Sequence, residues 1–285
     1  MTSTEILVGY DGSADAAVAL DWALDEAERS ARPVHLAYVF EWLTVAGWIG
    51  PGPAPGVWPD QTARRQVEEL VREATADAAA ARPTVTVHGE VHDGPPALVL
   101  QERSARAGLL VLASRGHGGF TGLLTGSTVL AVTAHAHCPV VVVREAGAGA
   151  VGPVVVGVDE SEPSRVALRF AVEHAARREA PLRVVRVSEP PGRAPDHDVE
   201  VEAARERAAV RDAVARCRED FPDVAVTVDV TPGNPAAVLV EASRDAQLMV
   251  VGSRGRGGLR GMLLGSVSQQ LLQHAHCPVA VARER

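Results

Sequence analysis

The chain has 285 residues, a net charge of −8 and a hydrophobic fraction of 46%, enough for about two domains with real cores. Its acidic balance argues against a nucleic-acid binder that works by neutralising phosphates, and no run approaches the ~18 apolar residues of a membrane span. All 28 basic residues are arginine, which excludes a lysine Schiff base, a lysine general base and the lysine of a P-loop. The opening "MTSTEILVGYDGS" has no basic stretch followed by an apolar one, so no signal peptide is expected. Cys138, Cys217 and Cys277 are too few and of odd number for a disulfide framework. A cytoplasmic protein is expected.

In chain order, "EILVGY" reads as a short buried strand ending in glycine. Ser13 is placed to cap a helix carrying Leu20, Leu24 and Ala27 at helical spacing. "PVHLAYVF" is a second strand. Residues 41–60 contain Trp42, Trp48 and Trp58 among Pro and Gly, too broken for a helix; they read as a lid or an exposed docking loop. Residues 61–80 make the second helix and "TVTVHGEV" the third strand. Residues 95–106 make the third helix, "GLLVLAS" the fourth strand, 127–136 the fourth helix and "CPVVVVR" the fifth strand.

The order then repeats. "ILVGYDGS" (6–13) recurs as "VVVGVDES" (154–161), and "PVHLAYVFE" (33–41) as "PLRVVRVSE" (181–189). "ASRGHGGFTGLLTGS" (113–127) recurs as "GSRGRGGLRGMLLGS" (252–266), and "HAHCPVVVV" (135–143) as "HAHCPVAVA" (274–282). The join is the small-residue stretch "REAGAGAVG" (144–152). Alternation of strand and helix implies right-handed βαβ units on a parallel sheet covered on both faces. The predicted class is α/β: two tandem flavodoxin-like or Rossmann-like domains, 1–144 and 153–285 with linker 145–152, each a five-stranded parallel sheet. Ligands of such sheets sit at the carboxyl ends of the strands.

The glycine-rich stretch lies there, after the fourth strand and before the fourth helix. A helix N-terminus offers free N–H groups and a positive dipole end to an anion. The glycines permit close backbone approach and φ > 0. Arg254, Arg256 and Arg260 supply the charge that lysine would give, and Ser266 is placed either to cap the helix or to bond a phosphate oxygen.

The pattern Gly-x-x-Gly-x9-Gly-[Ser/Thr] resembles the ATP-binding signature of the universal stress protein family. It is complete in the second copy as Gly252, Gly255, Gly265 and Ser266. In the first copy it reads Ala113, Gly116, Gly126 and Ser127. The resemblance covers nearly the whole chain and includes Asp11 and Asp159 after the first strand of each copy. It implies that Asp159 and Val187, and in the first copy Asp11 and Val39, lie by ribose and adenine, and that the loop wraps the phosphates. The set implied in the second copy also takes in Gly157, Arg254, Val267 and Ser268; that in the first takes in Gly9, Arg115, Thr128 and Val129. Ala113 weakens its site if that position needs φ > 0 or lies against phosphate, so the second copy is expected to be the more competent.

A plainer reading makes the loop a structural turn and Asp159 a turn residue before the cap Ser161. "HAHC" offers His135, His137 and Cys138, and again His274, His276 and Cys277, all acceptable to zinc. At a helix end running into a strand these side chains diverge, so no metal site is expected there. No catalytic set is recognisable. The function expected is an ATP-binding, Mg²⁺-assisted stress sensor with at most slow hydrolysis. A transferase and a non-nucleotide scaffold are the alternatives. The fifth strands are expected to pair the halves as a pseudo-dimer, with further homodimerisation open.

Overall fold

The computed structural model describes residues 5–41, 61–116, 125–144, 151–188, 196–255 and 263–284. The Trp-bearing segment 42–60, the linker 145–150 and Arg256 and Arg260 lie outside them.

The first copy runs β1 (Ile6–Gly9), α1 (Ala14–Ser30), β2 (Val34–Phe40), α2 (Gln61–Ala81), β3 (Val87–Asp93), α3 (Pro96–Ser104), β4 (Leu109–Ala113), α4 (Ser127–His135) and β5 (Val140–Val143). The second runs β6 (Val154–Val158), α5 (Glu162–Arg177), β7 (Leu182–Ser188), α6 (Asp196–Cys217), β8 (Val226–Pro232), α7 (Pro235–Ala242), β9 (Leu248–Gly252), α8 (Ser266–His274) and β10 (Val279–Ala282). A 3₁₀ turn, Ser243–Asp245, follows α7.

Local chemistry sets the helix starts. Ser13 accepts from Ala16 N–H at 3.1 Å, Ser161 from Ser164 N–H at 3.4 Å, and Asn234 from Ala237 N–H at 3.1 Å; each satisfies a donor that the helix leaves open. The third strand begins later than the sequence pattern suggests and runs on through His92 and Asp93, which pair with Val39 and Phe40. Its polar residues at an exposed edge blur the alternation that marks a strand. Helix α3 stops at Ser104, where the chain tightens: Ala105, Arg106 and Ala107 donate three residues back.

Strands within each copy pair parallel, and the halves join where β10 meets β5 antiparallel, Val279 opposite Val142. The result is one ten-stranded sheet, β3-β2-β1-β4-β5-β10-β9-β6-β7-β8. The expected intrachain pairing through the fifth strands is what the sheet contains. Alternate side chains feed two cores. Ile6, Val8 and Leu36 pack under α1 and α2, while Leu7, Leu110 and Val142 pack under α3 and α4. Both faces are therefore covered, as parallel sheets require. No described helix is long and apolar enough to cross a membrane.

Candidate functional site

Strands β1 and β4 are neighbours, and their carboxyl ends open into the crevice where the strand order reverses. A cavity of about 410 Å³ lies there, within the range of small-molecule pockets. Every first-copy residue singled out from the sequence lines it: Gly9, Asp11, Val39, Ala113, Arg115, Gly116, Gly126, Ser127, Thr128 and Val129. The walls also include Tyr10, Ala16, Ala37, Pro96, Leu100 and Leu112. None of these was singled out from the sequence; the assembled strands and helices bring them to the cavity.

The polar rim is built by the backbone. Gly126 is the N-cap of α4, with φ −68°, and no side chain caps the helix. Ser127 is thus the first helical residue and not the cap; the same holds for Ser266 after Gly265. The capping role open to Ser266 in the sequence is not the one it takes, and the first-turn N–H groups face the crevice without a side-chain acceptor.

A Cβ added at Gly126 would meet nothing closer than 3.9 Å, at Ser114 O and Val129 Cγ2. The protein's own packing leaves that space open. Gly116 is different: a Cβ there would strike Asp11 Oδ2. None of the described signature glycines has positive φ; that conformation is confined to Gly12, Gly94 and Gly233 among the described glycines. At Gly116 it is close approach by Asp11, not left-handed backbone, that excludes a side chain. Ala113 is likewise outside the positive-φ region, so its methyl carries no backbone strain.

Asp11 is held as a turn acceptor, taking Ser13 N–H on Oδ1 at 3.0 Å. Burial, and then the Asp11 charge, raise the phenols of Tyr10 and Tyr38 above their usual value. Arg115 pairs with Asp15 of α1 at 3.0 Å, which fixes it across the rim.

The second copy gathers the corresponding residues with tighter packing. A Cβ on Gly252 would lie 2.7 Å from the carbonyl carbon of Pro163, and one on Gly255 2.6 Å from Asp159 Oδ2. Gly265 approaches Arg254 Cα at 3.3 Å on the same basis. Asp159 Oδ1 accepts from Ser161 N–H at 2.8 Å, and Ser164 Oγ accepts from Asp159 N–H at 2.8 Å. Ser268 donates its hydroxyl to Gly252 O at 2.8 Å, and Val267 packs on the core. Where the first copy has Ala37, this one has buried Val185, one strand from Gly157; Val187 lies two residues further along the same strand. Gly252 is therefore glycine because α5 begins against it. Its first-copy counterpart Ala113 instead lines an open space.

The "HAHC" segments end the fourth helices. His137 and His276 N–H groups donate to the buried Ser104 and Ser243 hydroxyls at 2.8 and 2.9 Å. Cys138 and Cys277 are buried, and burial pushes the Cys277 thiol up to about 12, so both serve as small apolar residues.

A model described as the universal stress protein family matches residues 3–144 and again 151–283. A universal stress protein of Mycobacterium tuberculosis is 36% identical over 295 residues, covering 99% of this chain and 97% of its own. A solved universal stress protein from Archaeoglobus fulgidus overlays the whole of both chains with TM-score 0.73 at 19% identity. A shorter universal stress protein solved in complex with cAMP matches 48% of this chain and all of its own, with 27% identity and TM-score 0.40.

Proposed function

Because this chain belongs to the universal stress protein family, we propose that it is a nucleotide-responsive regulator that takes ATP with Mg²⁺ in the first-copy crevice. The observation that carries this reading is the 410 Å³ cavity bounded by an uncapped helix N-terminus and by Gly126, whose side-chain space is vacant. Amides at a helix N-terminus suit phosphate, since both the open donors and the dipole favour an anion. Thr128 and Ser127 offer hydroxyls to the same end, and Arg115 a guanidinium. The apolar Ala37, Val39, Pro96 and Leu100 suit the flat face of adenine. Asp11, next to the loop glycine, suits a ribose hydroxyl or a Mg²⁺-bound water better than a bare phosphate. Bound nucleotide would favour one arrangement at the α4 N-terminus and bias an interaction surface, a shift between pre-existing states.

The glycine signature is complete in the second copy, and the cavity described above lies in the first. Calorimetric titration of nucleotide-stripped protein with Mg²⁺-ATP separates them. We expect binding that Gly126→Val abolishes with the fold intact, because φ at that position suits any residue. Gly265→Val should leave it. No heat at millimolar ATP, or loss only in Gly265→Val, overturns the first-copy assignment.

A further inference from the structure

On the same sheet face as the crevice, one strand further out, His35 of β2 and Glu90 and His92 of β3 bring three ligand atoms within 4.8 Å of one another. This is the one such group of His, Cys, Asp or Glu among the described residues. His35 Nε2 and His92 Nε2 each stand 3.5 Å from Glu90 Oε2. Both nitrogens are buried and have no hydrogen-bond partner, and His92 as a whole is only 8% exposed. A separation of 3.5 Å exceeds the ~3.2 Å limit of a good N–H···O bond. It matches the edge between two ligands of one tetrahedral zinc ion, about 3.3 Å for bonds of about 2.0–2.1 Å. A carboxylate facing the far nitrogen of a ligating imidazole is the usual outer support, and Glu5 stands 3.9 Å from His35 Nδ1.

The second copy supplies the internal contrast. At the corresponding place Arg183 and Asp229 form an ordinary ion pair at 2.6 Å, and Thr231 stands where the first copy has His92. The fold itself thus needs only a neutral bridge between these strands. The first copy replaces the arginine with one histidine and adds a second, leaving two imidazole Nε2 atoms aimed at one carboxylate.

We propose that His35, Glu90 and His92 form a site for a zinc-class divalent ion, with water completing the tetrahedron. Imidazole and carboxylate suit that class. Arg103 of α3 is the residue that the ion displaces. Its Nη2 lies 2.9 Å from His92 Nδ1 and 3.4 Å from Glu90 Oε2. A guanidinium donating to Nδ1 fixes the proton of neutral His92 on Nε2, the nitrogen needed for metal. Binding therefore moves that proton to Nδ1 and turns the half-exposed Arg103 outward.

The test is titration of tag-free, chelator-treated full chain with Zn²⁺, and with Co²⁺ followed by absorbance, in the absence of nucleotide. We expect one ion per chain and a tetrahedral Co²⁺ spectrum without a thiolate charge-transfer band. His35→Gln and His92→Ala should each abolish binding, and Asp229→Asn should not. Arg103→Gln should tighten binding about tenfold, because an amide oxygen can accept from Nδ1–H. Circular dichroism of His35→Gln, the less buried change, confirms that loss of metal is not loss of fold. No ion retained against a weak competing chelator, unchanged stoichiometry in folded His35→Gln, a thiolate band, or weaker binding in Arg103→Gln overturns the proposal.

Discussion

Glu26 is a single carboxylate whose environment ties the two halves together. It is 1% exposed in α1, and its place in the repeat is taken in α5 by His174, which it faces at 3.3 Å. Arg178 reaches the other carboxylate oxygen at 2.9 Å, stacks over Trp22 and bonds Gln247, and Arg177 stands 3.8 Å away. Burial alone would raise the Glu26 carboxyl, but His174, Arg178 and Arg177 outweigh it and hold it at about 2. Burial pushes His174 below its usual value despite the Glu26 charge, with Arg177 and Arg178 adding to the effect. Near neutral pH the carboxylate is thus ionised beside a neutral imidazole, with Arg178 and Arg177 supplying the positive charge; His174 adds its own only where acid protonates it. Both groups bind protons more weakly in the folded chain, so acid favours unfolding through each. The His174 contribution is complete above pH 6.5 and declines below it; the Glu26 contribution is complete above 4.5 and is lost as pH falls toward 2. The urea midpoint should therefore fall between pH 7 and 5, less steeply in His174→Gln. Glu26→Gln at pH 7 should cost about 3–5 kcal/mol, because it leaves Arg178 buried without its counter-charge. A cost below 1 kcal/mol would mean that the arginines re-pair at no expense.

Two serines at helix starts divide structure from binding at the level of elements. Ser13 accepts Ala16 N–H and caps α1, so Ser13→Ala should cost about 1 kcal/mol. Ser127 opens α4 without capping it; Ser127→Ala should leave the denaturation midpoint within about 0.5 kcal/mol while weakening ATP several-fold. Equal stability losses would contradict this division. The same elements separate what sequence reveals from what it hides. Helix and strand identities followed from the 3.6 and 2.0 periods, and every motif residue of the first copy reached one cavity. The cavity itself was hidden, because residues without a motif, Ala16, Ala37 and Leu100 among them, line it only once the strands and helices are assembled. The histidine cluster was hidden for the same reason: Ala37 pairs with Glu90 and Val39 with His92, a register no single strand contains. Residue preferences alone also left the backbone angle at Ala113 open.

At the scale of the molecule, the halves clasp each other's fourth helix by a reciprocal exchange of arginines. Arg283, after β10, donates to the carbonyls of Thr133, Ala134 and Ala136 at the end of α4, the last at 2.6 Å. Arg144, after β5, donates to Leu272 O in α8 and to Thr125 Oγ1. Helix α4 begins at the crevice, and its C-terminal turn is held by an arginine of the other half. The Glu26–His174 contact reinforces the intrachain choice. Two first halves paired alike would bury Glu26 against Glu26, and two second halves would set His174 against His174 and leave each Arg178 facing an imidazole where Glu26 now stands. Cations at a helix C-terminus also satisfy its open carbonyls and its dipole. Arg283→Ala should therefore cost about 1.5–3 kcal/mol, and it should change how the chain melts. In the unmodified protein we expect one calorimetric transition, moved upward as a whole by Mg²⁺-ATP through ligand linkage. In Arg283→Ala the transition should broaden or split, with ATP raising only the component that contains the first copy. A single, fully shifted transition in that variant would show that the β5–β10 ladder alone couples the halves.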